Sequence, residues 1–169
     1  QNLKSVTEEM LGNIHRLISN LRPALLDDLG LIAAITWYGD LRLSASGIEF
    51  DFDCDGLYER YSSDIESALF RIVQEAITNI IRHAHATKVK IQLSQSDSEI
   101  LLQIEDNGIG FDPQILQHPT PKHGLGLRGM LERTMILGGK FELNTAPQRG
   151  TCIRIFIPLT FACSSNGKN

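Results

Sequence analysis

The sequence of 169 residues is 42% hydrophobic and 21% charged, the composition of an ordinary globular domain long enough to enclose one core. Its formal net charge of -4 gives no reason to expect a nucleic acid or an anionic membrane as a partner. No apolar run approaches the length of a membrane span.

The first predicted element is a helix over residues 3–21, whose apolar positions form a narrow stripe of the bundle or coiled-coil kind. A second helix is predicted over residues 26–45, with Asp27 or Asp28 as its N-terminal cap and Gly47 just after its end. Because the sequence begins inside a helical pattern without a capping residue, we expect it to be part of a longer protein.

Along the rest of the chain, helices separate a single strand and two pairs of consecutive strands. In chain order, the predicted elements are a strand over 48–53, a helix over 63–85, strands over 88–93 and 99–105, a helix over 127–137, and strands over 140–144 and 151–157. Residues 112–125 predict a mobile loop, and residues 161–169 predict a disordered tail. Strands joined as hairpins cannot form a doubly wound parallel sheet. We therefore expect an α/β (α+β) two-layer sandwich with a mixed, mostly antiparallel sheet and helices on one face.

The long helix over 63–85 carries polar residues at helical spacing. Glu75, Asn79 and His83 follow one another at intervals of four residues, about one helical turn each, so they stack on one face. A carboxylate and an amide oxygen form a pair of hard ligands that suits magnesium. A polar face that simply contacts solvent has the same spacing, so these residues alone leave both interpretations open.

Two glycine-rich stretches add to this pattern. Residues 106–112 follow a predicted strand, and their glycines let the backbone turn sharply beside Asp106, whose carboxylate could accept a hydrogen bond from an exocyclic amine. Residues 124–130 open a helix, where free amides and the helix dipole favour a phosphate. The second stretch is not a P-loop, because it lacks the Gly-Lys-Ser/Thr ending, and it is not a dinucleotide fingerprint.

Four linked motifs resemble those of the histidine-kinase branch of the GHKL ATPase superfamily. They are residues 70–84, similar to the N box, residues 106–111, similar to the G1 box, residues 124–130, similar to the G2 box, and residues 150–155, similar to the closing strand. Residues 21–31 and 82–84 further resemble the subgroup of the nitrate sensors and the DesK thermosensor. The resemblance implies the Bergerat sandwich in residues 23–160, preceded in residues 1–22 by the second helix of a dimerisation and phosphotransfer hairpin.

The resemblance also implies roles for individual residues, with ATP and Mg²⁺ as ligands. Asn79 resembles the magnesium ligand, and Glu75 resembles the residue that positions the metal or acts as a base, so both are candidate catalytic and metal-binding residues. Asp106 resembles the carboxylate that binds the adenine amino group, and residues 113–123 would form a lid. The remaining candidate ATP-binding residues are Arg82, His83, Gly108, Gly110, Lys122, His123, Gly124, Leu125, Gly126, Leu127 and Thr151.

By this resemblance the chain is the cytoplasmic domain of a membrane-bound or soluble sensor kinase, and the full-length parent is a homodimer. It would pass the γ-phosphoryl group of ATP to a histidine of the dimerisation domain, and from there to an aspartate of a response-regulator receiver domain. The family's acceptor histidine is usually followed by Asp or Glu, and none of the five histidines here has that context. His15 lies where the second hairpin helix belongs. We therefore expect the acceptor upstream of Gln1, and no efficient autophosphorylation by this chain alone.

Two other functions fit the same motifs. One is an ATPase of the gyrase or Hsp90 type, in which Glu75 activates water. The other is a nucleotide-binding regulatory module without catalysis. The three cysteines are widely spaced and contain no CxxC pair, so they predict reduced thiols rather than a metal or redox site.

Overall fold

The computed structural model describes residues 22–55, 60–116 and 125–159. The prediction of a hairpin helix over residues 3–21 lies outside this part, as do the predicted tail and most of the predicted lid. Three candidate ATP-binding residues, Lys122, His123 and Gly124, also lie outside the described residues.

The described residues contain three α-helices and five strands. They are α1 (Arg22–Gly39), β1 (Glu49–Asp55), α2 (Ser63–Asn79), β2 (Lys88–Gln95), β3 (Glu99–Asp106), α3 (Leu125–Ile136), β4 (Lys140–Thr145) and β5 (Thr151–Pro158). A π-helical turn follows α1 at Asp40–Ser44 and another follows α2 at Ile80–Ala84, and Pro113–Leu116 forms a 3₁₀ turn. In the described residues, no helix combines the length and apolarity that crossing a bilayer requires.

The five strands form one mixed sheet in the order β1-β2-β3-β5-β4. Strands β2, β3, β5 and β4 pair antiparallel with their neighbours, and only β1 pairs parallel, with β2. The parallel pair is joined through α2, because a parallel connection needs a crossover that a tight turn cannot supply. Both predicted hairpins and the predicted mixed, mostly antiparallel sheet are confirmed.

One face of the sheet is apolar and the other is polar. The apolar face carries the alternating residues Val89, Ile91, Leu93, Ile100, Leu102, Ile104, Ile153, Ile155 and Ile157, all buried in the core with side chains of the helices. The opposite face carries polar contacts between strands, such as Lys88 with Glu49 at 2.8 Å and Arg154 with Gln103 at 2.8 Å. This two-sided pattern confirms the two-layer sandwich with helices on one face.

Helix α2 is the central helix of the core. Its buried residues are Ile65, Glu66, Leu69, Phe70, Ile72, Val73, Ala76 and Ile77, which include the apolar stripe at helical spacing. Fully burying one such aliphatic side chain contributes about 1.5–3 kcal/mol, so this stripe fixes the rotation of α2 about its axis. That rotation directs Glu75 and Asn79 away from the core centre.

The helix predicted over residues 26–45 differs from α1 in two ways. Asp27 and Asp28 lie inside helical turns that are described from Arg22 onward, so the prediction that one of them caps the helix is wrong. Gly30 interrupts the helix with φ 81° and ψ 175°, a conformation that glycine adopts without a steric penalty. Gly47 does follow the end of this helical region, with φ 71°, as predicted.

Two further boundaries differ from the sequence prediction. The last part of the helix predicted over 63–85 is the π-helical turn Ile80–Ala84, and His85 ends it with φ 50°. The helix predicted to begin at Leu127 is already helical at Leu125, the first residue described after the gap. Part of the stretch predicted as an irregular loop forms the 3₁₀ turn Pro113–Leu116.

Candidate functional site

A cleft of about 430 Å³ opens where the end of α2, the loop after β3, the start of α3 and strand β5 meet. Its lining residues are Glu75, Ala76, Asn79, Ile80, Arg82, His83, Ala84, Ile104, Asp106, Ile109, Gly110, Phe111, Leu125, Gly126, Leu127, Thr151 and Ile153. The cleft thus brings together ten of the candidate residues, which belong to four motifs that are far apart in the sequence.

Helix α2 places two oxygen-bearing side chains on the cleft. Glu75 and Asn79 are half-buried and one turn apart, and neither side chain has a hydrogen-bond partner among the described residues. Arg82 and His83 come from the π-helical turn and are exposed at the rim of the cleft. π-helical turns are frequently found at functional sites.

Asp106 lies at the opposite part of the cleft, at the end of β3, and is only 6% exposed. Its Oδ1 accepts a hydrogen bond of 2.8 Å from the Gly108 amide, and Thr151 lies directly across from it on β5. Burial raises the pKa of the Asp106 carboxyl above its ordinary value, and hydrogen bonds from Gly108 and Thr151 limit that rise. A buried carboxylate that faces a cleft is suited to accept a hydrogen bond from a ligand.

The glycines after Asp106 are required by contacts inside the protein. A Cβ atom on Gly108 would collide with the Ala84 carbonyl oxygen, which accepts a 2.8 Å hydrogen bond from the Ile109 amide. Gly110 has φ 56°, and a Cβ there would collide with the Ala146 carbonyl oxygen. Gly110 lines the cleft and Gly108 does not, so Gly108 acts on the site by fixing this loop against the end of α2.

The start of α3 lies directly against the polar face of α2. A Cβ atom on Gly126 would overlap the Glu75 carboxylate and lie 3.3 Å from Nδ2 of Asn79. Leu125 and Leu127 line the cleft on either side of Gly126. Amides at the first turn of a helix lack helical partners, so this helix start presents hydrogen-bond donors to an anion beside Glu75 and Asn79.

One polar residue beside the site, Thr145, is not among the residues predicted from the sequence. The buried Thr145 hydroxyl donates to the Gly150 carbonyl oxygen at 3.0 Å and accepts from the Phe111 amide at 3.1 Å. Its oxygen also lies 3.3 Å from that of Thr151, so Thr145 holds the turn beside the cleft in place. No local pattern pointed to Thr145, because its partners come from other parts of the chain.

The apolar wall of the cleft was also missed. It consists of Ala76, Ile80, Ala84, Ile104, Ile109, Phe111 and Ile153. Two of these residues could have been predicted from the sequence. Ile104 lies two positions before Asp106 on β3, and Ile153 lies two positions after Thr151 on β5, so each shares a strand face with a candidate residue. Strand alternation therefore places them beside Asp106 and Thr151.

Described side chains could supply only some of the ligands that a divalent cation needs. Within residues 22–55, 60–116 and 125–159, no group of three or more His, Cys, Asp and Glu residues could hold a metal ion. Mg²⁺ usually keeps several waters and binds one or two protein oxygens together with substrate phosphates. The oxygens of Glu75 and Asn79, which have no partner in the described part of the chain, lie beside an anion-favouring helix start and fit that kind of binding.

The fold and cleft correspond to a known family. A family model described as histidine kinase-, DNA gyrase B-, and HSP90-like ATPase matches residues 64–161, which is more than half of the chain. The chain belongs to this family of ATPase domains. The match spans α2, the glycine loops and the strands that form the cleft.

Two relatives narrow the family assignment to the histidine-kinase branch. The chain is 38% identical over 160 residues to the signal transduction histidine-protein kinase/phosphatase DegS of Brevibacillus brevis, covering 95% of this chain and 40% of that protein. It is 30% identical over 159 residues to the oxygen sensor histidine kinase NreB of Staphylococcus carnosus, covering 94% and 45%. The chain thus spans less than half the length of these relatives. The predicted resemblance to the catalytic domain of sensor histidine kinases is confirmed.

Solved structures share the fold. The Acinetobacter baumannii histidine kinase AdeS has a TM-score of 0.63 at 19% identity, over 94% of this chain and 86% of that one. The full-length ShkA structure, in complex with AMPPNP, has a TM-score of 0.64 at 20% identity, over 76% of this chain and 29% of that one. At these identities the likeness concerns the fold alone.

Proposed function

We propose that this domain binds Mg-ATP and donates the γ-phosphoryl group to a histidine side chain of a dimerisation domain. One observation carries the proposal. One part of the cleft has a buried carboxylate, Asp106, that faces the ligand space. In another part, the side-chain oxygens of Glu75 and Asn79, without partners among the residues the structure describes, lie beside a helix start. Such a cleft suits a ligand with an amine-bearing base and an anionic tail.

The adenine binds in the part of the cleft around Asp106. The carboxylate accepts a hydrogen bond from the exocyclic amine, and Thr151 on the facing strand completes the polar edge of the pocket. Ile104, Ile109 and Ile153 supply apolar surface for the faces of the base. A charged acceptor in a largely apolar pocket discriminates against a base that lacks a donor at this position, because the buried carboxylate would then stay unpaired.

The phosphates bind at the other part of the cleft. Asn79 and Glu75 would hold Mg²⁺, and the metal would supply neutralisation of charge on the phosphate oxygens. The amides around Gly126 contact the γ-phosphate, and the exposed Arg82 and His83 attract the triphosphate to the rim. Lys122, His123 and Gly124 would complete this phosphate site from the lid.

The domain contributes mainly positioning and charge neutralisation to the transfer, as is general for phosphoryl transfer. An imidazole nitrogen of the acceptor forms the new bond to the γ-phosphorus, the bond to the β,γ-bridging oxygen breaks, and ADP leaves with that electron pair. The acceptor imidazole loses its N–H proton. The phosphohistidine then passes its phosphoryl group to an aspartate of a response-regulator receiver domain.

The partners and the setting follow from this reaction. No histidine of this chain is followed by Asp or Glu, so the acceptor belongs to a dimerisation hairpin outside this sequence. The parent kinase is a homodimer held by that hairpin. The domain works in the cytoplasm, where ATP and the receiver domain are available.

Hydrolysis is the second candidate, favoured by the position of Glu75. Its carboxylate lies against Gly126 at the helix start that would hold the γ-phosphate, where it could orient a water molecule as a general base. In that reaction the phosphoryl group goes to water instead of a histidine.

One labelling experiment separates the candidate functions. The chain is incubated with γ-labelled ATP and Mg²⁺, with and without a hairpin that carries a His-Asp or His-Glu acceptor from a related kinase. Transfer predicts acid-labile label on the hairpin histidine. Label that appears only as inorganic phosphate at a rate unaffected by the hairpin supports hydrolysis. Binding in calorimetry without turnover supports a regulatory module, and the absence of ATP binding contradicts all three functions.

ATP affinity is expected to fall on acidification, because adenine recognition needs the charged form of Asp106. Burial raises the pKa of this carboxyl, so the loss sets in at a higher pH than for an exposed aspartate. The effect of pH on the free energy of unfolding is opposite to its effect on affinity. Because the pKa of Asp106 is raised in the folded state, protonation stabilises the folded protein, and this contribution is complete below the pKa of the unfolded state. The contribution is lost as the pH rises through the pKa of the folded state. Fluorescent nucleotide titrations at several pH values measure the affinity. Parallel profiles for the wild type and Asp106→Asn would refute this assignment.

A further inference from the structure

A buried carboxylate outside the cleft has a full set of partners. Glu66 on α2 is 3% exposed and forms a bidentate pair with Arg60, from Nε to Oε1 at 2.8 Å and from Nη2 to Oε2 at 2.9 Å. The Tyr61 amide also donates to Oε1 at 3.2 Å. A planar guanidinium held this way has a fixed orientation, since both carboxylate oxygens are engaged.

The remaining donors of Arg60 reach a different helix. Nη1 donates to the Asp27 carbonyl oxygen at 3.1 Å, and Nη2 donates to the Leu26 carbonyl oxygen at 2.9 Å. In an unbroken helix these carbonyls would accept from the amides four residues later, but Gly30 has left helical geometry. Arg60 therefore caps the C-terminal end of the first part of α1, although it lies more than thirty residues away in sequence. Its positive charge at this helix end also interacts favourably with the helix dipole.

The break divides α1 into two parts with different attachments. After Gly30, the helix is packed into the core through Leu31, Ala34 and Ile35. Before it, Asp27, Asp28 and Leu29 are exposed, and Leu26 is buried. We call residues 22–29 the entry segment, because the chain passes through it into the domain. Among the side chains described in this segment, only Leu26 is buried, and the hydrogen bonds from Arg60 attach the segment's backbone to the domain.

The partner of Arg60 lies on the helix that builds the cleft. Glu66 and the pair Glu75 and Asn79 belong to the same helix, α2. Gly30 packs beside the Arg60 side chain, since an added Cβ would lie 3.3 Å from its Cδ. The entry segment, Arg60 and α2 are therefore joined by consecutive hydrogen bonds.

We propose that Arg60 is a positioning residue that sets the direction of the entry segment relative to the helix carrying Glu75 and Asn79. This inference rests on the proposed phosphoryl transfer, in which the hairpin preceding the domain must present its histidine to the cleft. We call Arg60, Glu66 and the carbonyl oxygens of Leu26 and Asp27 the joint. None of these residues lines the cleft in which the nucleotide would bind. Loss of the joint lowers the rate of transfer and leaves nucleotide affinity unchanged.

A purely structural ion pair is the competing explanation. Removing Arg60 alone would leave Glu66 buried and uncompensated, which can unfold a domain whatever the role of the pair. The test therefore uses the double variant R60M/E66M, which removes both charges together, so that the buried Glu66 carboxylate is not left without its partner. Arg154→Met is the matched control, since Arg154 also hydrogen-bonds through its side chain but lies on the open face of the sheet. Trp37, the single tryptophan, reports whether the docked part of α1 is intact.

Hydrogen exchange, nucleotide binding and transfer are measured on the same variants, with transfer assayed in the full-length parent. Loss of the hydrogen bonds from Arg60 is expected to raise the rate of amide hydrogen exchange in the entry segment by roughly tenfold or more. This size is expected because hydrogen bonds to a charged group are stronger than those between neutral groups. Trp37 emission and the ATP dissociation constant are expected to stay within about twofold of the wild type, and transfer is expected to fall about tenfold. The conservative Arg60→Lys variant keeps the charge and is expected to restore part of the transfer rate.

The outcomes separate this inference from the proposed function. Unchanged exchange in the entry segment contradicts the joint, and raised exchange with unchanged transfer contradicts its positioning role. A loss of nucleotide affinity equal to the loss of transfer also contradicts it, because the effect would then pass through the cleft. If the wild type neither binds ATP nor transfers phosphate, the proposed function fails, and the reaction-positioning role fails with it even where the exchange result verifies the joint.

Discussion

Asp106→Asn is expected to weaken ATP binding by about 1–3 kcal/mol, roughly five- to 150-fold, because it removes a charged acceptor that is buried at the cleft. The same change also weakens the acceptor of the 2.8 Å hydrogen bond from the Gly108 amide, which shapes the adjacent loop. Calorimetry with ATP measures the affinity, and thermal unfolding shows whether the domain stays folded. The unliganded domain is expected to stay folded, since burial already disfavours the charged form of Asp106.

Glu105→Gln is the matched control for this change. Glu105 precedes Asp106 on β3, is exposed, and points to the opposite face of the sheet. The control therefore removes an acidic charge close in sequence but outside the cleft, and ATP affinity should stay near that of the wild type. An Asp106→Asn protein that binds ATP as tightly as the control would contradict the adenine assignment.

Asn79→Ala is expected to lower phosphoryl transfer by about 100-fold or more, the size of effect seen when one group that stabilises charge during a reaction is removed. Nucleotide binding should weaken less, because Asp106 and the apolar wall still hold the base. The dependence of the remaining activity on Mg²⁺ should shift to higher concentrations. Transfer of label to an acceptor hairpin across a Mg²⁺ titration measures both quantities.

Asn144→Ala serves as the control for Asn79→Ala. Asn144 is exposed on β4, away from the lining of the cleft, and the substitution is chemically the same. If Asn79→Ala keeps the wild-type Mg²⁺ dependence, Asn79 does not hold the metal. If both variants lose transfer equally, the loss comes from the fold and not from the site.

The elements predicted from local patterns agree well with the structure. The stripe of α2 and the alternation of β2 and β3 each repeat over several residues, so their periods are clear and they form as predicted. The break in α1 was missed, because a single glycine inside a helical pattern does not end a helix by itself. Here Arg60 stabilises the break through a hydrogen bond to the Asp27 carbonyl oxygen. The two residues are far apart in sequence, so no local pattern predicts this contact.

The site was partly readable from the sequence. The motifs name Glu75, Asn79, Asp106, Gly126 and Thr151, and the structure brings these five to one cleft. The apolar wall and the buried Thr145 were not named, since apolar strand residues look alike until their register is known. Lys122, His123 and Gly124 remain sequence predictions, as they lie outside the described residues.

The sequence by itself determined the family, the strand and helix order, and the polar residues of the cleft, because each of these depends on residue types at short, repeated spacings. Only the tertiary structure decided that Gly108 packs against the end of α2 and that Thr145 holds the turn beside Thr151. It alone also revealed that Arg60 joins the broken α1 to Glu66. These contacts join residues distant in sequence, and their partners are chosen by chain packing and by the need to satisfy buried polar groups.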